Sequence, residues 1–259
     1  MKISAIALGL FLIAGTAFAV NEVTQNKVYS WRYKMTVEVE TPEGVKIGSA
    51  VRQIGNDLHG SPLSQQGNPG DVSGEAVVVD LGERGVLFAL ISDKSDNRFS
   101  ENFPLPGRIG GQGSTTPEGI KYQSSLPVGT KAVLNPRTPQ GYPKLVTFTD
   151  MNDARSVTLV QEWERNQQAG KPFEQQRTLK SDRFEELFGA GVKLKSITIE
   201  ITDEPKTKTG ILEVLPKFDD EFWKWLKTLK YGDPRRVSGA NFSRGSIAEF
   251  NRMKQGEKK

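Results

Sequence analysis

Apolar and polar residues alternate most regularly near the start of the chain. Five apolar residues share one face of residues 31–40: Trp31, Tyr33, Met35, Val37 and Val39. Charged and polar residues occupy the other face, which is the pattern of a half-buried β-strand. A Thr-Pro-Glu-Gly sequence follows at residues 41–44, and the alternation resumes over residues 45–51. Because Pro and Gly favour a tight turn at such positions, we expect a β-hairpin here.

Two continuously apolar runs predict a second hairpin. Residues 75–81 and 86–92 flank a Gly-Glu-Arg-Gly sequence at residues 82–85. Runs without polar interruption are typical of strands that are buried on both faces. We therefore expect this hairpin at the centre of the sheet.

Weaker patterns predict strands in the second half of the chain. Residues 145–149 and 156–161 are expected to pair around the polar residues 150–153. Residues 195–202 form a further strand with three isoleucines on one face: Ile197, Ile199 and Ile201. This period of two is again the signature of a strand with one buried face.

Two or three short helices are expected, most of them C-terminal. Ser181 can cap a helix that ends at Phe188, before Gly189. Residues 219–230 have an apolar stripe at helical spacing, with acidic residues at the start and lysines towards the end. Ser246 begins a capping box for a last short helix.

Three segments rich in glycine, proline and polar residues are expected to be loops: residues 55–74, 93–127 and 166–176. The Thr-Pro-Glu-Gly motif of residues 41–44 recurs at residues 116–119. A duplicated hairpin would explain this recurrence. We favour two turns that use Pro and Gly independently, because the residues before the two motifs do not match.

These elements predict an α+β fold with a mainly antiparallel β-sheet made of hairpins. We expect one β-rich domain with long loops over residues 20–259, with any subdivision near residues 165–180.

Residues 1–19 have the pattern of a cleavable signal peptide. Met1 and Lys2 give a positive start, an apolar run follows, and residues 17–19 match the A-x-A cleavage site. An uncleaved anchor is the alternative, but the apolar run is shorter than the roughly 20 residues that span a bilayer. The sequence has no second apolar stretch of that length. We therefore expect a periplasmic or secreted protein that begins at Val20 after cleavage.

Composition narrows the chemistry further. The chain has no cysteine, which excludes disulfides, thiol catalysis and cysteine-ligated zinc. Its formal net charge is +4, from 35 Lys and Arg against 31 Asp and Glu. So small an excess permits contact with anionic envelope polymers, but it is not the concentrated basic face of a specific nucleic-acid binder.

Two segments carry a resemblance to a known group of proteins. Residues 31–51, with the alternating strand and the Thr-Pro-Glu-Gly turn, and residues 74–82, Gly-Glu-Ala-Val-Val-Val-Asp-Leu-Gly, resemble an exported proteobacterial family of no assigned function. The resemblance implies a bacterial origin. It implies no catalytic residues, because none are assigned in that family.

Motifs for catalysis, metals or cofactors are lacking in the sequence. His59 is the only histidine and has no G-x-S-x-G serine, so we interpret it as a solvated loop residue. The oxygen-rich segment at Asp93 fails the calcium-loop pattern because Arg98 stands where glycine is required. We predict no cofactor and no metal. Two carboxylate pairs remain open as glycosidase-type groups: Asp150 with Asp153, and Glu162 with Glu164.

The helix at residues 219–230 and the basic tail after it are the candidate contact region for a partner or membrane. The residues concerned are Trp223, Trp225, Arg235 and Arg236. Aromatic and basic residues together suit a membrane interface, although an apolar helix stripe more commonly packs on a sheet.

From these observations we expect an exported, non-enzymatic protein whose role is binding or structural support in the envelope. Its expected partner is an envelope polymer or another envelope protein. The alternatives are a carboxylate-dependent hydrolase acting on an envelope polymer, and a component of a secretion or surface assembly that pairs through an edge strand.

Overall fold

The computed structural model describes residues 28–57, 71–91, 99–103, 117–139, 141–166, 175–207, 211, 214–215 and 220–230. This part of the chain contains eleven strands: β1 (Val28–Thr41), β2 (Gly44–Asp57), β3 (Asp71–Ser73), β4 (Val77–Asp80), β5 (Val86–Ala89), β6 (Lys131–Val133), β7 (Leu145–Phe148), β8 (Val157–Leu159), β9 (Gln161–Arg165), β10 (Arg177–Asp182) and β11 (Lys193–Ile201). It also contains three α-helices: α1 (Pro117–Ser124), α2 (Phe184–Phe188) and α3 (Asp220–Thr228).

The strands form three antiparallel sheets. The largest has five strands in the order β3-β2-β1-β11-β6, a second has the order β4-β5-β7-β8, and β9 pairs with β10. The α+β class and the predominance of antiparallel hairpins are therefore confirmed. None of the helices in the described residues is both long enough and apolar enough to cross a membrane.

The β1–β2 hairpin follows the predicted pattern. Its register places Thr41 opposite Gly44, so Pro42 and Glu43 form the turn between the strands. Gly44 has a φ of 117°, a conformation that side chains other than glycine rarely adopt. The predicted apolar face of β1 is buried, and the three isoleucines of β11 lie beside it in the same core.

The main core lies between the two larger sheets. The four-stranded sheet contributes side chains from alternate positions of β4 and β5: Val77, Val79, Leu87 and Ala89. The positions between them, including Phe88 and Leu90, enter a second cluster with Val146 and Phe148 on the other side of that sheet. The β4–β5 hairpin is thus buried on both faces as predicted. The expectation that it forms the centre of one sheet is wrong, because it belongs to a second sheet in which β4 is the first strand.

The two large sheets approach closely where β2 crosses β4. A Cβ atom built on Gly48 would lie 1.9 Å from the carbonyl oxygen of Val78, so only glycine fits this position of β2. Four positions further along β2, Arg52 is completely buried. Its Nε donates to the carbonyl of Glu75 at 3.0 Å and its Nη2 donates to the carbonyl of Ala89 at 2.7 Å. Arg52 therefore links β2 to both arms of the β4–β5 hairpin at its open end.

The C-terminal helices are present with different boundaries. Ser181 lies in β10 and does not cap α2; the carboxylate of Asp182 instead accepts a hydrogen bond from the amide of Phe184 at 3.1 Å. Gly189 ends α2 with a φ of 97°, as the sequence predicted. The amphipathic helix is confirmed as α3. The helix predicted from Ser246 lies outside the described residues.

Several elements were missed within predicted loops. Helix α1 begins at Pro117, inside the second Thr-Pro-Glu-Gly motif, whereas the first motif forms the β1–β2 turn. The shared Pro-Glu-Gly residues thus adopt different structures, which contradicts both a duplicated hairpin and a second turn. Strand β3 and the end of β2 occupy both ends of the predicted loop at residues 55–74. The predicted loop at residues 166–176 contains neither β9 nor β10; these two strands flank it and were not predicted as a pair.

Candidate functional site

The predicted partner or membrane contact is only partly within the described residues. In α3, Phe222 is buried and Trp225 is half-buried, with the two ring centroids 5.6 Å apart. The helix contacts the short 3-10 turn Ala154–Ser156. Arg235, Arg236 and the Trp223 side chain lie outside the described residues, as do His59 and residues 1–19. The contact therefore stays a prediction.

The carboxylates considered for hydrolysis shape a turn and a strand pair. Asp153 Oδ1 accepts the Arg155 amide at 2.9 Å and its Nε at 2.8 Å, and this guanidinium lowers the pKa of Asp153. Asp150 Oδ1 accepts the amide of Asn152 at 2.8 Å. Glu162 pairs with Lys180 at 3.0 Å. A general acid at neutral pH needs a raised pKa, so the environment of Asp153 opposes that role.

The positions of the described acidic side chains also bear on metal binding. Within the described ranges, no three His, Cys, Asp or Glu side chains come close enough together to hold a metal ion.

A polar groove of about 330 Å³ lies at one end of the five-stranded sheet. Four segments that are distant in sequence line it: Ser30, Trp31 and Arg32 of β1; Gln53 of β2; Ile201, Thr202 and Asp203 at the end of β11; and Ser124, Leu126 and Val128 at and after the end of α1. Its volume falls at the lower end of the range of small-ligand sites.

Backbone hydrogen bonds hold these segments together. The amide of Thr202 donates to the carbonyl of Arg32 at 3.1 Å, which continues the pairing of β11 with β1 beyond Ile201. The amide of Gly129 donates to the carbonyl of Ile201 at 2.8 Å, and the amide of Ile201 donates to the carbonyl of Thr130 at 2.9 Å. The segment after α1 is therefore fixed against the end of β11, and the groove is built on paired backbone.

The side chains of the groove combine opposite charges with an apolar wall. Arg32 and Gln53 are directly opposite each other in the β1–β2 register and so share one face of the sheet. Within the described part of the chain, neither the Arg32 guanidinium nor the Asp203 carboxylate forms an ion pair. The Trp31 indole donates to the hydroxyl of Ser100 at 3.1 Å, which fixes its ring. Leu126, Val128 and Ile201 supply apolar surface.

Comparison with known proteins adds no assignment to this geometry. No protein-family model, curated protein or solved structure matches the chain. The chemistry of the groove therefore rests on its own residues.

Sequence reasoning missed this groove. Arg32 was visible only as a polar position on the outer face of a predicted strand, where solvated charges normally occur, and Gln53 lay beyond the second predicted strand at residues 45–51. Asp203 and Leu126 carry no motif at all. The register of β1 with β11 and the position of α1 bring them together, and neither was predicted.

Proposed function

We propose that this chain is an exported protein of the bacterial envelope that binds a ligand in the groove and catalyses no reaction on it. Export is supported by the pattern of residues 1–19, in which a positive start, an apolar run and an A-x-A site follow one another. Binding is supported by the groove, which is lined by the polar residues Arg32, Gln53 and Asp203 beside apolar side chains.

The observation that carries the proposal is that Arg32 and Asp203 line one small groove and form no ion pair among the described residues. An arginine guanidinium presents a planar fork that fits a carboxylate, and an aspartate accepts hydrogen bonds from an ammonium or hydroxyl group. A ligand that carries both kinds of group within a few ångströms would satisfy Arg32 and Asp203 together. Peptide segments of envelope polymers have this chemistry.

The test is a binding titration with purified protein that starts at Val20. The probe is a set of soluble muropeptides, which carry carboxylate, amine and sugar hydroxyl groups. Isothermal titration calorimetry is the readout, because the chain has four tryptophans and Trp31 is only 5% exposed. We expect Arg32→Ala and Asp203→Asn each to raise the Kd by roughly tenfold, the loss of affinity expected for one charged hydrogen bond.

Lys34→Gln is the matched control. Lys34 follows Arg32 on the same face of β1 but pairs with Glu204 at 3.0 Å, and it does not line the groove. Its Kd should equal that of the wild type. Titrations in which the two groove variants bind like the control would refute the groove as the ligand site.

Export is tested separately by the N-terminus of protein recovered from the native cells. Intact mass should correspond to a chain that begins at Val20. Recovery of a membrane-bound form that retains Met1 would contradict the export proposal.

A further inference from the structure

The β9–β10 hairpin places two arginines directly opposite each other. Arg165 near the end of β9 is the register partner of Arg177 at the start of β10, so both side chains lie on the same face of the two-stranded sheet. Like charges at such a position repel and destabilise the pairing. Arg165 also lowers the pKa of Arg177, although burial of Arg177 is the larger cause of that shift.

The segment before β7 packs against the same face. The amide of Arg177 donates to the carbonyl of Arg137 at 3.0 Å, which places the backbone of a third, exposed arginine beside that of Arg177. A Cβ atom on Gly141 would lie 2.9 Å from Nη1 of Arg177. Gly141 has a φ of +64° and no side chain, and so leaves space for the Arg177 guanidinium.

Aromatic rings border these arginines. Trp163 lies on the same face of β9 as Arg165, because residues two apart in a strand share a face. Its indole donates to Oε1 of Gln161 at 2.8 Å, and its ring meets that of Tyr142 edge-on at 6.3 Å. We call the group formed by Arg137, Arg165, Arg177, Tyr142 and Trp163 the arginine surface.

The arginine surface has no counter-charge among the described residues. Arg84, Arg155 and Arg183 each pair with a carboxylate: Glu43, Asp153 and Glu186 respectively. Arg137, Arg165 and Arg177 form no ion pair within the part of the chain that the structure describes. The nearest acids on β9, Glu162 and Glu164, alternate to the opposite face, where Glu162 pairs with Lys180.

One donor of this surface is both buried and unused. Nε of Arg177 is inaccessible to solvent and has no hydrogen-bond partner in the described residues. Buried polar atoms are normally hydrogen-bonded, and an exception in a folded protein calls for an explanation such as an absent ligand. A charged donor without an acceptor is the costlier case, because its desolvation is not compensated.

We propose that the arginine surface binds a phosphate group of a soluble anionic ligand, as a site separate from the groove. Guanidinium groups keep their charge and match phosphate oxygens with paired N–H donors. A phosphate group carries more negative charge than a carboxylate, which suits arginines that form no ion pair with the residues that the structure describes. The bound group relieves the repulsion between Arg165 and Arg177. Its oxygens accept hydrogen bonds from the accessible N–H groups of these guanidiniums.

The test is thermal unfolding of the full mature chain, with tripolyphosphate as the probe. We expect the Tm to rise with tripolyphosphate concentration, since a ligand that binds only the folded state stabilises it. Sodium chloride at equal ionic strength controls for screening of the repulsion, and citrate controls for a multivalent carboxylate. A Tm rise that sodium chloride or citrate reproduces in full would refute a phosphate site.

Variants of Arg165 separate a binding role from a structural one. Because Arg165 is exposed and faces another arginine, Arg165→Gln should have a Tm equal to or above that of the wild type without ligand. The same variant should weaken the tripolyphosphate Kd by roughly tenfold or more. Arg165→Lys keeps the charge but loses the paired N–H donors of the guanidinium, so its Kd should lie between those of the wild type and Arg165→Gln.

Arg155→Gln is the matched control, because it removes the same charge from an arginine that already pairs with Asp153. Its tripolyphosphate response should match the wild type. If Arg155→Gln and Arg165→Gln weaken binding equally, the effect is net charge and the proposed site is wrong.

Co-sedimentation with phosphatidylglycerol vesicles identifies a lipid source of the phosphate. Sedimentation that Arg165→Gln abolishes would contradict the proposal of a soluble ligand.

Discussion

The close approach of β2 and β4 at Gly48 gives a prediction with a definite sign. In an ordinary strand, replacing glycine by alanine is favourable by about 0.5–1 kcal/mol, because alanine loses less backbone entropy on folding. At Gly48 the added Cβ would lie 1.9 Å from the carbonyl oxygen of Val78 and 2.7 Å from its carbonyl carbon. Real Cβ atoms essentially never approach other atoms closer than 3.0 Å.

The magnitude follows from what would have to move. The obstructing atoms belong to the backbone of β4, so no side-chain rotation can relieve the contact, and the two sheets must separate by about 1 Å. Overpacking of a core typically costs about 1–3 kcal/mol. We expect Gly48→Ala to reduce the free energy of unfolding by about 3 kcal/mol, a large part of the total stability of a typical domain.

Equilibrium unfolding in urea measures this effect through the midpoint, at constant m-value. Ser49→Ala is the matched control, since Ser49 is the next residue of β2 and is exposed on the opposite face. It should change stability by less than about 0.5 kcal/mol. If Gly48→Ala unfolds at the wild-type midpoint or a higher one, the sheets do not meet at this position and the packing argument is wrong.

Two further predictions concern α3 and acid stability. Phe222→Ala should cost about 3–5 kcal/mol because Phe222 is fully buried, whereas the half-buried Trp225→Ala should cost less in the same urea titration. The reverse order would contradict the packing of α3. Arg84 lowers the pKa of Glu43 from 4.5 to about 2, so this pair stabilises the folded state fully above pH 4.5 and its contribution is lost as the pH falls towards 2. Glu43→Gln should flatten that part of the stability curve, and an unchanged slope would contradict the ion pair.

The strands that the sequence predicted correctly share a local cause. In β1 and β11 one face meets the core and the other meets solvent, so the residues alternate with a period of two. The turn after β1 was predicted from its Pro and Gly residues, which favour a tight turn. The continuous apolar runs of β4 and β5 correctly predicted burial on both faces. Each face of these strands packs against a different core cluster.

The missed elements lacked such a local signal. Strands β9 and β10 bury little apolar surface, and each has a single large apolar residue, Trp163 and Leu179, so neither shows a repeated apolar–polar alternation. Helix α1 begins in a motif that elsewhere forms a turn, and its buried positions Ile120 and Gln123 are set by contact with β1. Tertiary packing therefore overrides a weak local preference at these places.

The sequence by itself determined the strand-rich class, the absence of cysteine chemistry, the main hairpin and the amphipathic helix, because each depends on residues close together in the chain. Only the tertiary structure decided which charges stand together. Arg32 and Asp203 line one groove because β1 pairs with β11, and the backbone of Arg137 is bonded to that of Arg177 because a loop packs on β10. Electrostatic energy depends on distance in space and on burial, and neither quantity can be read from position along the chain.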